Sequence, residues 1–89
     1  MYSLRFDKDA EKAYRNADKN LVKRLNRCFD YLHKEPFNHP NISQLKGNFA
    51  GLYRYKIGNW RIIYEVEEEQ QVVNILQIIN RGNAYKKKI

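Results

Sequence analysis

Gly58-Asn59 separates two runs in which apolar and polar side chains alternate, residues 52–57 and 60–66. No other stretch constrains the fold as much. A two-residue connection between strands of this kind is a tight β-hairpin, and Gly at its first position suits a turn that needs a positive φ. Such a turn sets the register: Ile57 pairs with Trp60, Tyr55 with Ile62 and Tyr53 with Tyr64. These side chains make one face aromatic and apolar, the face expected to hold the rest of the core. The opposite face pairs Lys56 with Arg61 and Arg54 with Ile63. Residues 72–79, Val-Val-Asn-Ile-Leu-Gln-Ile-Ile, read as a further, buried strand. If the loop over residues 67–71 pairs Val66 with Val72, Gln77 lies beside Arg61. Arg81 then shares that face if the strand continues.

Before Gly51 the period is helical instead. Residues 2–6 alternate and read as a first strand. Asp7 is placed to cap a helix that carries Ala10, Ala13, Tyr14 and Ala17 on one side. Asp18 is placed to cap a second, whose stripe is Leu21, Leu25, Cys28, Phe29 and Leu32. The short connection between them makes a helical hairpin. Pro36 and Pro40 end the helical region, and the chain from there to Gly51 reads as loop. The order is strand, two-helix hairpin and three-stranded antiparallel meander. That order predicts an α+β fold with the helices packed on one sheet face. Cys28, Trp60 and the hairpin tyrosines belong to its core.

The chain has 89 residues, which allows a single domain, since domains run from roughly 50 to 250 residues. A hydrophobic content of 43% is too high for a disordered basic tail. No apolar run approaches the roughly 18 residues of a membrane span. Residues 1–7 bring charge before any apolar segment, so a cytoplasmic protein without a signal peptide is expected. One cysteine excludes an intrachain disulfide and a cysteine-based zinc cage. His33 and His39 lie around the helix-to-loop junction without acidic partners at metal-ligand spacing, and read as surface residues. Neither a metal nor another cofactor is expected.

Seventeen Lys and Arg oppose ten Asp and Glu, a net charge of +7. Glu65, Glu67, Glu68 and Glu69 stand together, so the rest of the molecule is more positive still. Such a field favours a polyanion or an acidic protein partner. Directly opposed cations such as Lys56 and Arg61 cost a sheet roughly 0.2–1 kcal/mol. Two readings of the set Arg54, Lys56, Arg61 and Arg81 are open. The long side chains spread into water, or an anion joins them, and phosphate matches guanidinium geometry best.

The run Leu45-Lys46-Gly47, then Gly51-Leu52-Tyr53-Arg54-Tyr55-Lys56-Ile57-Gly58-Asn59-Trp60-Arg61-Ile62-Ile63-Tyr64-Glu65-Val66, resembles the RelE/ParE superfamily of bacterial toxins. The last strand followed by Arg81-Gly82-Asn83-Ala84-Tyr85 matches the family's closing pattern, and the order of elements agrees along essentially the whole chain. The resemblance implies a microbial-ribonuclease-like fold over residues 1–89 and a toxin held inactive by an antitoxin. The antitoxin would be acidic and RelB-like, and a toxin–antitoxin heterotetramer is one assembly the family admits. RelE-like members cut mRNA in the ribosomal A site, so mRNA and the ribosome are the implied partners. ParE-like members poison DNA gyrase and lack the basic catalytic set.

Matched residue by residue, the RelE-like branch implies a metal-independent endoribonuclease. Arg61 takes the place of the Arg at the scissile phosphate, and Lys56 that of one of the paired strand lysines. Arg81 matches the Arg that serves the leaving group, and Tyr85 the Tyr that orients or stacks on substrate. Arg54, Lys46, Lys86 and Lys87 are candidate phosphate contacts. Arg54 stands where RelE has a lysine, and a guanidinium is a poor general base. Lys56 is therefore the better candidate base, with Tyr85 the other. Asn80 stands where many relatives carry a His, which excludes a His-based acid there. A gyrase inhibitor and a non-catalytic RNA-binding module are the alternatives.

Overall fold

In the computed structural model, which describes residues 1–81, the chain forms five strands and two α-helices. The strands are β1 (Ser3–Phe6), β2 (Ile42–Gln44), β3 (Tyr53–Ile57), β4 (Trp60–Glu67) and β5 (Val72–Asn80), and the helices α1 (Lys8–Arg15) and α2 (Lys19–Lys34). They build one sheet in the order β1-β5-β4-β3-β2. β1 is parallel to β5 and every other pairing is antiparallel. This is the α+β arrangement expected, enlarged by a strand where the sequence reads as loop. β2 is short and polar, Ile-Ser-Gln, and carries no alternation long enough to stand out. Its place is set by pairing to β3, Ile42 opposite Tyr55.

The helices form because each has an apolar side to bury. Leu21, Leu25, Cys28, Phe29 and Leu32 of α2 are all buried, and each large side chain so placed contributes ~1.5–3 kcal/mol. Asp18 caps α2, its carboxylate accepting the Leu21 N–H at 2.8 Å. Asp7 occupies the N-cap of α1, but its side chain makes no capping hydrogen bond, contrary to the sequence expectation. In α1 small residues replace large ones: Ala10 is fully buried, which lets the helix lie close on β5. The sheet supplies Tyr55, Ile57, Ile62, Tyr64, Val73, Ile75 and Ile78 to the same core. Tyr64 is wholly buried, and its hydroxyl donates to the Pro36 carbonyl at 2.7 Å. That bond satisfies a polar group which would otherwise be costly to bury.

The β3–β4 register is the one that the Gly58-Asn59 turn dictates, Tyr53 opposite Tyr64 through Ile57 opposite Trp60. Gly58 has φ +54°, and positive φ at the first central residue only is the signature of a II′ hairpin turn. The β4–β5 register departs from expectation. Val66 faces Val73 and Glu67 faces Val72, because the connecting loop closes tighter, over residues 68–71. Gln71 adopts φ +55° and donates its N–H to the Glu68 carbonyl at 3.2 Å.

A one-residue slip turns every side chain over. Val73 and Ile75 therefore face the helices. Leu76 is then skipped by the pairing, with Tyr64 opposite Ile75 and Ile63 opposite Gln77. This bulge turns the strand over a second time. Ile78 joins the core, while Gln77 and Ile79 return to the outer face. Arg61 consequently lies opposite Ile79, not beside Gln77.

Candidate active site

The β3–β4 hairpin positions the cations. Residues two apart on a strand share a face, so the even positions of β3 and the odd positions of β4 point away from the helices. Lys56 and Arg61 are direct cross-strand partners on that outer face. Arg54 lies two residues back along β3, opposite Ile63, which in turn lies opposite Gln77. Arg81 follows β5 and donates its backbone N–H to the Asn59 carbonyl at 2.5 Å. Lys56, Arg61 and Arg81 thus gather around one two-residue turn. At this end of β5 the register differs from the expected one by two residues, which keeps Ile79 on the face expected for Gln77; β5 itself ends at Asn80, before Arg81.

These side chains stand in different environments. Lys56 and Arg81 are exposed, whereas Arg61 and Arg54 are half-buried. Arg61 folds back on the turn, with Nη1 donating to the Gly58 carbonyl at 2.8 Å and the Trp60 carbonyl at 3.0 Å. Its guanidinium is therefore held near the hairpin tip instead of sweeping through water. Arg54 Nε and Gln77 Oε1 are buried without a hydrogen-bond partner among the described residues. They flank Ile63, itself buried, in a single row across three strands.

Lys46 does not join this group. It precedes the 3-10 turn Gly47–Phe49, beyond the end of β3 that lies away from Lys56. Tyr85, Lys86 and Lys87 lie outside the described residues. The acidic residues gather at the other end of the outer face. Asn74 donates to Glu65 at 3.0 Å and also to Glu67. Six residues of strand, about 20 Å, separate Arg61 from Glu67. The face is thus basic at the Gly58 end and acidic at the other.

Two neighbours of the turn are not evident in the sequence. A Cβ at Gly58 would meet Arg24 Nη2 at 2.5 Å, so α2 lays a guanidinium against the turn from the helix side. His39, expected at the surface, is half-buried. It packs edge-on to Tyr31 with ring centroids 4.5 Å apart and tilts against Tyr55 at 5.1 Å. The one signal for Arg24 is that it borders the Leu21, Leu25 and Cys28 stripe and must therefore reach the helix–sheet boundary. Among the described residues no group of His, Cys, Asp and Glu has metal-site geometry. Cys28 is buried, and burial pushes its thiol pKa up. That is the state of an inert core thiol.

Comparison with known proteins agrees with this architecture. The family described as "ParE toxin of type II toxin-antitoxin system, parDE" matches residues 1–85. Among solved structures, the archaeal RelE–RelB complex of Pyrococcus horikoshii is 31% identical, covers 93% of this chain and 98% of its own, and superposes with a TM-score of 0.78. The intact Escherichia coli RelBE complex is 24% identical over 90% of this chain and 96% of its own, with a TM-score of 0.77. The YoeB/ParE toxin from Agrobacterium tumefaciens is 20% identical over 88% and 96%, with a TM-score of 0.79. No curated protein sequence matches. The two-helix layer on a five-stranded mixed sheet is the RelE-like fold, and with a family match over nearly its full length the chain belongs to the RelE/ParE superfamily of type II toxin–antitoxin toxins.

Proposed function

We propose that this toxin is a ribosome-dependent mRNA endoribonuclease whose site is the basic end of the outer sheet face. The observation that supports the reading is the cross-strand pair Lys56 and Arg61, with Arg81 joined to the same turn. Like charges gathered on neighbouring strands destabilise a sheet, and a bound phosphate offsets that cost.

The chemistry this set suits is cleavage by the RNA's own 2′-hydroxyl. A base removes the hydroxyl proton, the 2′-oxygen bonds to the adjacent phosphorus, and the bond to the 5′-oxygen breaks. An acid protonates that oxygen, leaving a 2′,3′-cyclic phosphate and a 5′-hydroxyl. Arg61 binds the phosphate oxygens and offsets the charge of the phosphorane, a task for a preorganised cation. Its bonds to the Gly58 and Trp60 carbonyls preorganise it. Lys56 is the candidate base. Arg81 supplies charge at the leaving oxygen, and Tyr85 orients or stacks on the substrate. Arg54 adds a phosphate contact, as do Lys86 and Lys87. Lys46, at the far end of β3, contacts RNA only if the strand runs the length of the sheet.

The solved relatives include complexes with RelB- and YefM-type antitoxins. By the same logic this toxin is neutralised by an acidic antitoxin that covers the basic end of the face. A second reading, gyrase poisoning, has one specific support: the matching family is described by its ParE member. Arg61→Ala separates the two. Loss of translation arrest in a cell-free system, with folding intact, supports the ribonuclease. Retained toxicity with inhibited gyrase supercoiling supports the alternative.

A further inference from the structure

Lys56 belongs to two surfaces. On one side it faces Arg61 across the hairpin. On the other it lines a groove of about 460 Å³ between α2 and the Gly58 end of β3, along with Arg24 and Arg27. All three cations are exposed. The residues lining the groove include no Asp or Glu, and among the described residues none of the three cations forms an ion pair. The wall beyond them is aromatic, formed by Tyr31 and His39. The Asn41 N–H donates to His39 Nδ1 at 2.9 Å, which leaves the ring proton on Nε2 and fixes the ring in place. The groove remains open at this point because β2 ends its pairing at Ile42 opposite Tyr55, with one further bond from the Lys56 N–H to the Asn41 carbonyl at 2.9 Å.

A cationic channel with ring faces along it is the recurring solution for single-stranded nucleic acid: phosphates follow the charge, and bases stack on the rings. Arg24 already lies on the Gly58 turn, whose carbonyl holds Arg61. The cationic surface therefore continues around the hairpin tip without a break. We infer that the α2–β3 groove is a second phosphate-binding subsite, in which Arg24 and Arg27 hold the backbone of the same RNA strand beyond the phosphate held by Arg61. The inference rests on the ribonuclease reading for the identity of the polyanion. Shared use of Lys56 favours one continuous strand over an acidic peptide.

The test is binding, not cleavage. The probe is a fluorescein-labelled 2′-O-methyl RNA of about ten nucleotides, which has no 2′-hydroxyl to attack and stays whole. Its affinity is measured by anisotropy over a salt series for the wild type, for Arg24→Gln/Arg27→Gln, and for Arg24→Lys/Arg27→Lys as a charge-keeping control. Loss of two phosphate contacts predicts about tenfold weaker binding and a slope of log K against log salt smaller by ~1.4. The lysine control keeps the wild-type slope.

In parallel, the Gly58 and Asn41 amide resonances of the ¹⁵N-labelled wild type should shift when the RNA is added. Wild-type affinity and slope in the glutamine variant, or unmoved Gly58 and Asn41 resonances, overturn the inference. Shifts produced by a glutamate-rich peptide and not by RNA also overturn it, in favour of a protein partner. Because the probe is not cut, absence of mRNA cleavage in translation leaves this result standing. Failure here likewise leaves the cleavage assay untouched.

Discussion

Arg61 caps the turn that precedes it, and the same two carbonyl bonds that hold it make its replacement informative. Arg61→Ala loses those bonds but relieves the repulsion with Lys56, so stability should change by no more than ~1 kcal/mol, while translation arrest disappears. Urea denaturation together with a cell-free translation assay reads both. Lys56→Arg keeps the charge and removes a group able to accept a proton. Cleavage should fall by about 10²-fold or more; unchanged cleavage makes Lys56 an electrostatic contact only. Gly58→Ala places a Cβ at φ +54° against Arg24 Nη2 and should cost ~1–2 kcal/mol in urea denaturation. An unchanged midpoint contradicts the described turn. At this scale the sequence was largely legible. The two-residue turn determined which of Arg54, Lys56 and Arg61 share a face. Arg24 and His39 were not legible, because their place depends on how α2 and the loop after it settle on the sheet.

Helices and central strands followed from periodicity, and the departures have local causes. β2 is three residues long and gains its identity only from a partner. The β4–β5 register departs from the expected one because the αL conformation of Gln71 shortens the loop, and nothing in a Glu-Glu-Gln-Gln run announces it. The Leu76 bulge then returns Gln77 and Ile79 to the outer face, so two departures cancel beside the candidate site.

The helix–sheet core makes its own predictions. Burial raises the pKa of Cys28 above its ordinary 9.0, and that of Tyr55 and Tyr64 above 10.0. At alkaline pH the unfolded chain therefore releases protons that the folded chain keeps. The stability these groups contribute is complete below pH 9 and declines as pH rises further. Cys28→Ala should shrink the decline between pH 9 and 10 by the thiol's share, about 1.4 kcal/mol per pH unit at most, and leave the part due to Tyr55 and Tyr64, as read from denaturation midpoints across that range. Tyr64→Phe leaves the Pro36 carbonyl without its donor and should cost ~1–3 kcal/mol, again by urea denaturation.

At the scale of the whole molecule, the chain separates charge along one sheet face. Cations from α2, β3, β4 and the end of β5 surround the Gly58 turn, while Glu65 and Glu67, tied by Asn74, occupy the opposite end. A polyanion is attracted to one end and repelled from the other, which orients it before any specific contact forms. No described helix is long and apolar enough to cross a membrane. The family and its fold follow from both sequence and structure, whereas the proposed reaction stands on the basic end of the face. Primer extension on an mRNA in a purified translation system, with the toxin added in the presence and absence of ribosomes, tests that directly. Cuts within codons that require ribosomes and vanish with Arg61→Ala are the predicted result. A folded, antitoxin-free toxin that leaves the mRNA whole on translating ribosomes contradicts the account.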